Sequence, residues 1–267
     1  MRRARVQYIL LQNSMSSSRL FFLYLWIAPH VLQAVLALMM IRRQLFRQFP
    51  VFFAYTVFEV AQFLVLFVLD HWFIDKVSID QYVNLYMIGN AISIVLRFGI
   101  VHEIFANVFQ SYPALQQFGG VIFRWATVVL MIVAVTIVAY SSGSETDKFT
   151  LAATVVDRAV SIVQCGLLVL LVLLARFLSF SWTSYVFGIA LGLGFFASLQ
   201  LAISTLRAHL GVETQTVAFS EISMAVYHCC VLFWIVTLLL PQRSSRQIPP
   251  ARSHQLEHWN EVLQRLL

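Results

Sequence analysis

Charge is what this chain has least of: Asp, Glu, Lys and Arg make up 11% of its 267 residues, against 60% hydrophobic. A soluble domain carries roughly 25% charge, and no water-soluble core is large enough to hide this much apolar surface. Lysine is scarcer still, Lys76 and Lys148 being the whole complement. Both lie between apolar runs, so no lysine is placed for a retinal Schiff base and a rhodopsin-like pigment is excluded. The three cysteines, Cys165, Cys229 and Cys230, fall inside apolar runs. They read as small apolar fillers rather than exterior disulfides. No HExxH or other zinc-specific spacing occurs. The alternation over about 10 residues that marks a membrane β-barrel is also missing. An internal repeat relating the first three runs to the last three, as in sugar-exporter-like folds, is absent too, because Pro29-His30 has no counterpart in the fifth run.

What is present is length. Bilayer hydrocarbon is about 30 Å thick and a helix rises about 1.5 Å per residue, so roughly 20 apolar residues make one span. Seven stretches meet this: Leu20 to Ile41, Val51 to Leu69, Gln81 to Val108, Gly120 to Tyr140, Leu151 to Phe177, Ser184 to Leu206 and Thr216 to Leu240. The joins carry breakers, among them Pro50, Tyr112-Pro113, Gly119-Gly120, Ser141-Ser142-Gly143 and Pro241. The expected fold class is all-α, a polytopic membrane protein built as a single bundle of seven transmembrane helices. Residues 1–19 form an N-terminal extension, 20–240 the transmembrane domain, and 241–267 a cytoplasmic linker and amphipathic helix. The first run exceeds the roughly 7 to 15 residues of a signal h-region, so it reads as an uncleaved span. Met15, just ahead of it, is a candidate true start.

Orientation follows from the basic residues at the two sides. From Met15 on, the N-terminal side carries Arg19, Lys76, Lys148 and Arg207. The other side carries Arg42, Arg43, Arg47, Arg124, Arg176, Arg243, Arg246, Arg252 and Arg265, nine against four. This predicts the N-terminus outside and the C-terminus in the cytoplasm of a bacterial inner membrane. Counting Arg2, Arg3 and Arg5 narrows the margin to nine against seven. The net charge of +6 therefore reads as topology and lipid headgroup contact, not as nucleic-acid binding.

Ionisable residues inside the runs are where chemistry is expected, because each costs roughly 2.5 to 3.5 kcal/mol at the membrane centre and must face inward to a partner. They are His30, Glu59, Arg97, Asp157, Arg158, Glu221 and His228. Helical spacing gathers them into stripes. These are Tyr55, Glu59 and Gln62 in the second run, Asn90, Ser93 and Arg97 in the third, Asp157, Ser161 and Gln164 in the fifth, and Glu221 with His228 in the seventh. The polar core is thus expected to comprise His30, Glu59, Asn90, Arg97, Asp157, Arg158, Gln164, Glu221 and His228. Its charges sum to minus one, so one protonated histidine or carboxylate would neutralise it. His228-Cys229-Cys230 cannot converge on one ion, since consecutive helical residues point about 100° apart. No cofactor is implied and a metal is left open. Structural glue, hydrogen bonds and ion pairs between helices, is the alternative role for each of these residues.

The fourth and sixth runs lack internal charge and read as scaffold. In the sixth, Ser184, Gly188 and Gly192, and likewise Ala190, Gly194 and Ser198, recur at four-residue spacing, a GxxxG-like surface for close helix packing. In the tail, 241–252 reads as a flexible linker. Leu256, Trp259, Val262, Leu263 and Leu266 then form one face of a short helix, expected to lie on the membrane surface through Trp259 or to cap the bundle, with docking of a cytoplasmic protein partner as the alternative.

In spans and orientation the chain resembles the seven-helix input modules of bacterial membrane-bound histidine kinases, and other bacterial seven-helix membrane proteins of this size. It departs from the kinases where their output domain would follow. The resemblance implies a non-enzymatic sensory or accessory role. Helix seven is then expected to pass a change in the polar core to the tail, with Glu221 and His228 foremost because they share a face on the helix joined to it. A proton-coupled transporter using Glu59, Asp157 and Glu221, and a membrane-embedded metal hydrolase using His30, His228 and the carboxylates, are the alternatives.

Overall fold

With barrel-type alternation missing, the remaining solution in hydrocarbon is the helix, which satisfies its backbone N–H and C=O groups within itself. The computed structural model describes residues 16–72, 79–108, 155–166, 169, 185–210 and 216–240, with individual residues between 117 and 140, and no strand occurs among them. The helices are α1 (Ser16–Arg42), α2 (Pro50–Trp72), α3 (Ile79–Val108), α4 (residues 155–166), α5 (Tyr185–Leu210) and α6 (Thr216–Leu239). The described residues between 117 and 140 are helical as well. Five helices, α1, α2, α3, α5 and α6, hold apolar segments of 19 to 25 residues, long enough to cross a membrane. They coincide with the expected first, second, third, sixth and seventh runs. α1 starts at Ser16, inside the expected extension, and α5 continues past Leu206 to Leu210, because helical hydrogen bonding does not stop at the hydrocarbon edge. Residues 1–15 with Met15, the linker and the Trp259 helix lie outside the described residues.

The five spans close into a ring in which α1 packs on α2 and α6, α2 on α3, α3 on α5, and α5 on α6. Their directions follow from which residues meet. Trp26 packs edge-on against Phe63 at 5.5 Å while Phe46, just past α1, meets Phe53, and Ser93 meets Glu59 while Glu103 meets Val51, so α1, α2 and α3 alternate. Tyr24 meets His228 at one end, and Arg43 meets the Leu238 carbonyl at the other. α6 therefore runs parallel to α1. Ser223 donates to Gln200 at 2.7 Å and Trp234 to the Ile189 carbonyl at 3.3 Å, which makes α5 antiparallel to α6. α3 and α5 thus run in opposite directions, and the chain leaves α3 and re-enters at α5 on the same side of the bundle.

The apolar core lies toward the Arg43 end, built from Leu36, Met40, Phe49, Phe52, Ile100, Ile104, Leu193, Trp234 and neighbours. Phe52 and Trp234 meet as a T-shaped pair, centroids 5.2 Å apart, worth about 0.5–1.5 kcal/mol beyond its buried area. The outer surface is equally apolar: Val31, Leu38, Leu64, Val65, Val95 and Val236 are all exposed. A ring greasy on both faces is a bilayer protein.

The α1–α2 hairpin shows how its sharp turn is made. Gln44 adopts φ 55°, the left-handed conformation that ends helices. The 3-10 turn Leu45–Arg47 follows, and Pro50 opens α2. No Ser, Thr, Asp or Asn precedes Pro50 to cap the helix. Glu103 of α3 does so instead, accepting from Val51 N–H at 2.8 Å and Phe52 N–H at 2.9 Å. Arg43 completes the same end by donating to the Leu238 carbonyl and, at 3.4 Å, to the Leu239 carbonyl at the C-terminus of α6.

Candidate functional site

Above the apolar core the ring changes character. Tyr55 and Glu59 stand one turn apart on α2, Ser93 and Arg97 one turn apart on α3, and antiparallel packing sets the two stripes side by side. The Ser93 hydroxyl donates to Glu59 Oε1. Arg97 Nη2 donates to Asp157 Oδ1 in an ion pair whose side chains are 7% and 35% exposed respectively. The Arg97 guanidinium also lies 5.9 Å from the Phe196 ring centroid of α5, a cation–π contact.

A second chain of bonds enters this layer from α1. Gln33, wholly buried, donates through Nε2 to the Tyr227 hydroxyl of α6, which stands beside the Tyr55 hydroxyl. His30 Nδ1 lies 3.3 Å from Gln33 Oε1, and its ring stacks on Phe63 at 4.2 Å. Tyr55 stands one turn from Glu59 on α2 and near Arg97 of α3. The layer therefore runs from His30 through Gln33, Tyr227 and Tyr55 to Glu59, Ser93, Arg97 and Asp157. Five helices contribute to it, and Phe196 of a sixth packs on its arginine.

Of the expected core residues, His30, Glu59, Arg97 and Asp157 are brought together. Arg158 is not: on a helix it points about 100° from Asp157, and it is exposed. Glu221 is partly buried, and no hydrogen bond or ion pair reaches it among the described residues. His228 lies one residue off the face that Tyr227 turns inward, and instead meets the Tyr24 hydroxyl at 3.3 Å. That pair forms the polar part of an open groove of about 630 Å³ between α1 and α6. Asn90 is partly buried, and the Gln62 amide packs against Gly89 rather than joining the layer. Gln164 is fully buried, with no hydrogen-bond partner on Oε1 or Nε2 among the described residues. Each unmet buried atom of this kind costs about 1–3 kcal/mol. Cys229 is exposed and Cys230 buried. Among the described residues no three His, Cys, Asp or Glu side chains come together as a metal site.

Gln33 and Tyr227 were not expected members. The available signal for Gln33 was its position one turn after His30, a second polar residue on one face of an apolar helix. Tyr227 carried no signal beyond the polar tip of an aromatic ring. Arg43, expected only as one of the basic residues of one side, and Glu103, not singled out at all, prove to cap helices.

The small residues of α5 meet α6. Gly188 faces Thr237, and Gly192 faces the Trp234 indole so closely that a Cβ would lie 2.8 Å from Trp234 Cδ1. Gly194 is buried, and its carbonyl accepts from the Ser198 hydroxyl at 2.8 Å.

Compared with known proteins, the chain matches no family model, no curated protein and no solved structure.

Proposed function

We propose that this is a seven-span inner-membrane protein, N-terminus outside and C-terminus in the cytoplasm, that serves as a sensory or accessory signalling component. Its buried polar layer would respond to a proton or small ligand. The observation that carries the reading is Tyr227. Through that one side chain α6, the span leading to the tail, is bonded to Gln33 of α1 and stands beside Tyr55 of α2, next to Glu59 and Arg97. A change of charge at Glu59 acts on Tyr55 and so on the last helix. Two features support seven spans. The chain between α3 and α5 must cross an even number of times, and the apolar runs at 120–140 and 151–177 are long enough to be two crossings. Basic residues concentrated beyond Arg42 support the orientation.

The charged groups facing Glu59 are Arg97 and, across it, Asp157. With both carboxylates ionised the trio carries minus one; with one proton it is neutral. Glu59 is the carboxylate bonded to a hydroxyl rather than to the guanidinium, which makes it the proton acceptor in this reading. pH-difference infrared spectroscopy on protein in lipid nanodiscs tests it. A protonated-carboxyl band should appear as pH falls, vanish in Glu59→Gln and persist in Glu221→Gln. A band unaffected by Glu59→Gln sinks the proposal. The same placement of Glu59 favours a second reading, a proton-coupled transporter. Solute-driven proton uptake by proteoliposomes would support that reading, and a cytoplasmic partner crosslinked in native membranes would support signalling.

A further inference from the structure

We propose that the groove between α1 and α6 seats a lipid-soluble quinone, with the Tyr24 hydroxyl donating to a ring carbonyl and the quinone's tail lying along α1. The groove measures about 630 Å³, within the roughly 300–1,000 Å³ of small-molecule sites. Tyr24, Ile27, Ala28 and Val31 follow one another at i, i+3, i+4 and i+7 and make one wall. His228 and Leu232, one turn apart on α6, make the other. Val31 and Leu232 are exposed on the apolar outer surface, so the groove opens onto hydrocarbon and its occupant arrives through the bilayer. No charged side chain lines it among the described residues, which suits a neutral molecule. It shares no residue with the Glu59 layer, so this inference stands apart from the proton-responsive reading.

The polar pair in the groove selects for an acceptor. His228 Nε2 lies 3.3 Å from the Tyr24 hydroxyl, and His228 Nδ1 is buried with no hydrogen-bond partner among the described residues. A neutral imidazole carries one N–H. On Nδ1 that N–H would be buried and unmet, whereas on Nε2 it donates to Tyr24 and leaves only a lone pair unmet. Tyr24, exposed in the groove, then has its own O–H free to donate. Depth decides whose acceptor it meets. Tyr24 and His228 lie three and seven residues inside the apolar segments Phe21–Arg42 and Glu221–Leu239, about 5 and 10 Å along the helices. Phospholipid ester carbonyls stay at the hydrocarbon edge, so the acceptor belongs to a molecule whose head enters the hydrocarbon. A quinone is planar, uncharged and carries two carbonyls. Its ring can pack against the tilted Tyr24 and His228 rings, whose centroids are 5.4 Å apart.

Photolabelling of the full chain in lipid nanodiscs, with an azido-benzoquinone carrying a decyl tail, tests the seat. Label should saturate, map to residues 23–32 of α1 or 228–232 of α6, and be displaced by unlabelled decyl-benzoquinone. Tyr24→Phe should raise the half-saturating concentration by about 2- to 10-fold, the worth of one hydrogen bond. Ala28→Leu, which fills the groove, should abolish saturable labelling; if it also lowers the melting temperature, Tyr24→Phe decides. Labelling that does not saturate, that spreads evenly to α2 and α3, or that Tyr24→Phe leaves unchanged overturns the seat. Displacement by decylbenzene, which has a ring and the tail but no carbonyl, as readily as by the quinone marks a slot for lipid chains and overturns it too.

Discussion

Gly188→Ala tests the packing of α5 on α6 with a single carbon atom. A Cβ at residue 188 would overlap Thr237 Cγ2 and lie 2.9 Å from Thr237 Cβ, where carbon contacts need about 3.5–4.0 Å. Thr237 cannot turn away: it is β-branched, stiff at χ1 within a helix, and its hydroxyl is bonded to the Phe233 carbonyl at 2.8 Å. The helices must part instead. That strains the neighbouring Trp234, which holds the Ile189 carbonyl and the Phe52 ring. Overpacking of this kind costs about 1–3 kcal/mol, against which alanine returns about 1 kcal/mol of helix propensity.

The net expectation is a loss of up to about 2 kcal/mol, and of about 1–3 kcal/mol relative to an unobstructed glycine-to-alanine change, read as a lower melting temperature by intrinsic tryptophan fluorescence in detergent. Gly166→Ala is the control, because nothing lies within 4 Å of the added atom; it should be neutral or stabilising. Thr237→Ser removes only Cγ2 and keeps the hydroxyl, so adding it to Gly188→Ala should recover about 1 kcal/mol as coupling. Gly188→Ala as stable as Gly166→Ala, or a double variant no better than the single, would refute the close approach.

Two further outcomes follow from the α1–α2 hairpin. Glu103→Ala strips the cap from the Val51 and Phe52 amides and should cost about 1–3 kcal/mol, with faster hydrogen exchange at those two amides and an intermediate loss in Glu103→Gln; unchanged exchange would show that the carboxylate does not cap α2. Gln44 holds φ 55° with its side chain exposed, so Gln44→Gly should stabilise by about 0.5–1 kcal/mol and Gln44→Val destabilise; denaturant unfolding giving the opposite order would contradict the left-handed turn.

Span positions were legible because length and apolarity are one-dimensional properties. Five runs read from hydropathy alone reappear as helices with ends displaced by a few residues. The pairing of stripes was legible in part. Spacing of three, four and seven puts Glu59, Arg97 and Asp157 each on one face of a helix, and burying a charge forces that face inward. What spacing does not encode is the register between helices. Whether residue 227 or 228 of the last span reaches the centre depends on a rotation of about 100°, set by Gly188 and Gly192 against Thr237 and Trp234. Sequence favoured His228 for its titratable ring, and packing chose Tyr227. The Glu103 cap was legible only as a gap, a proline-led helix without a capping residue before it.

The charge count shows how such an error can hide. Counting Glu59, Asp157 and Glu221 against Arg97 and Arg158 gives minus one, and so does the layer itself with Glu59 and Asp157 against Arg97. Glu221 and Arg158 drop out as one negative and one positive, so the sum survives although two of its five contributors stand elsewhere. A neutrality argument is blind to that exchange, and a substitution is not. Glu59→Gln removes the one surplus charge of the layer, whereas Glu221→Gln removes a carboxylate that touches none of its members. The difference between those two variants separates a charge-coupled layer from polar residues that merely hold helices together.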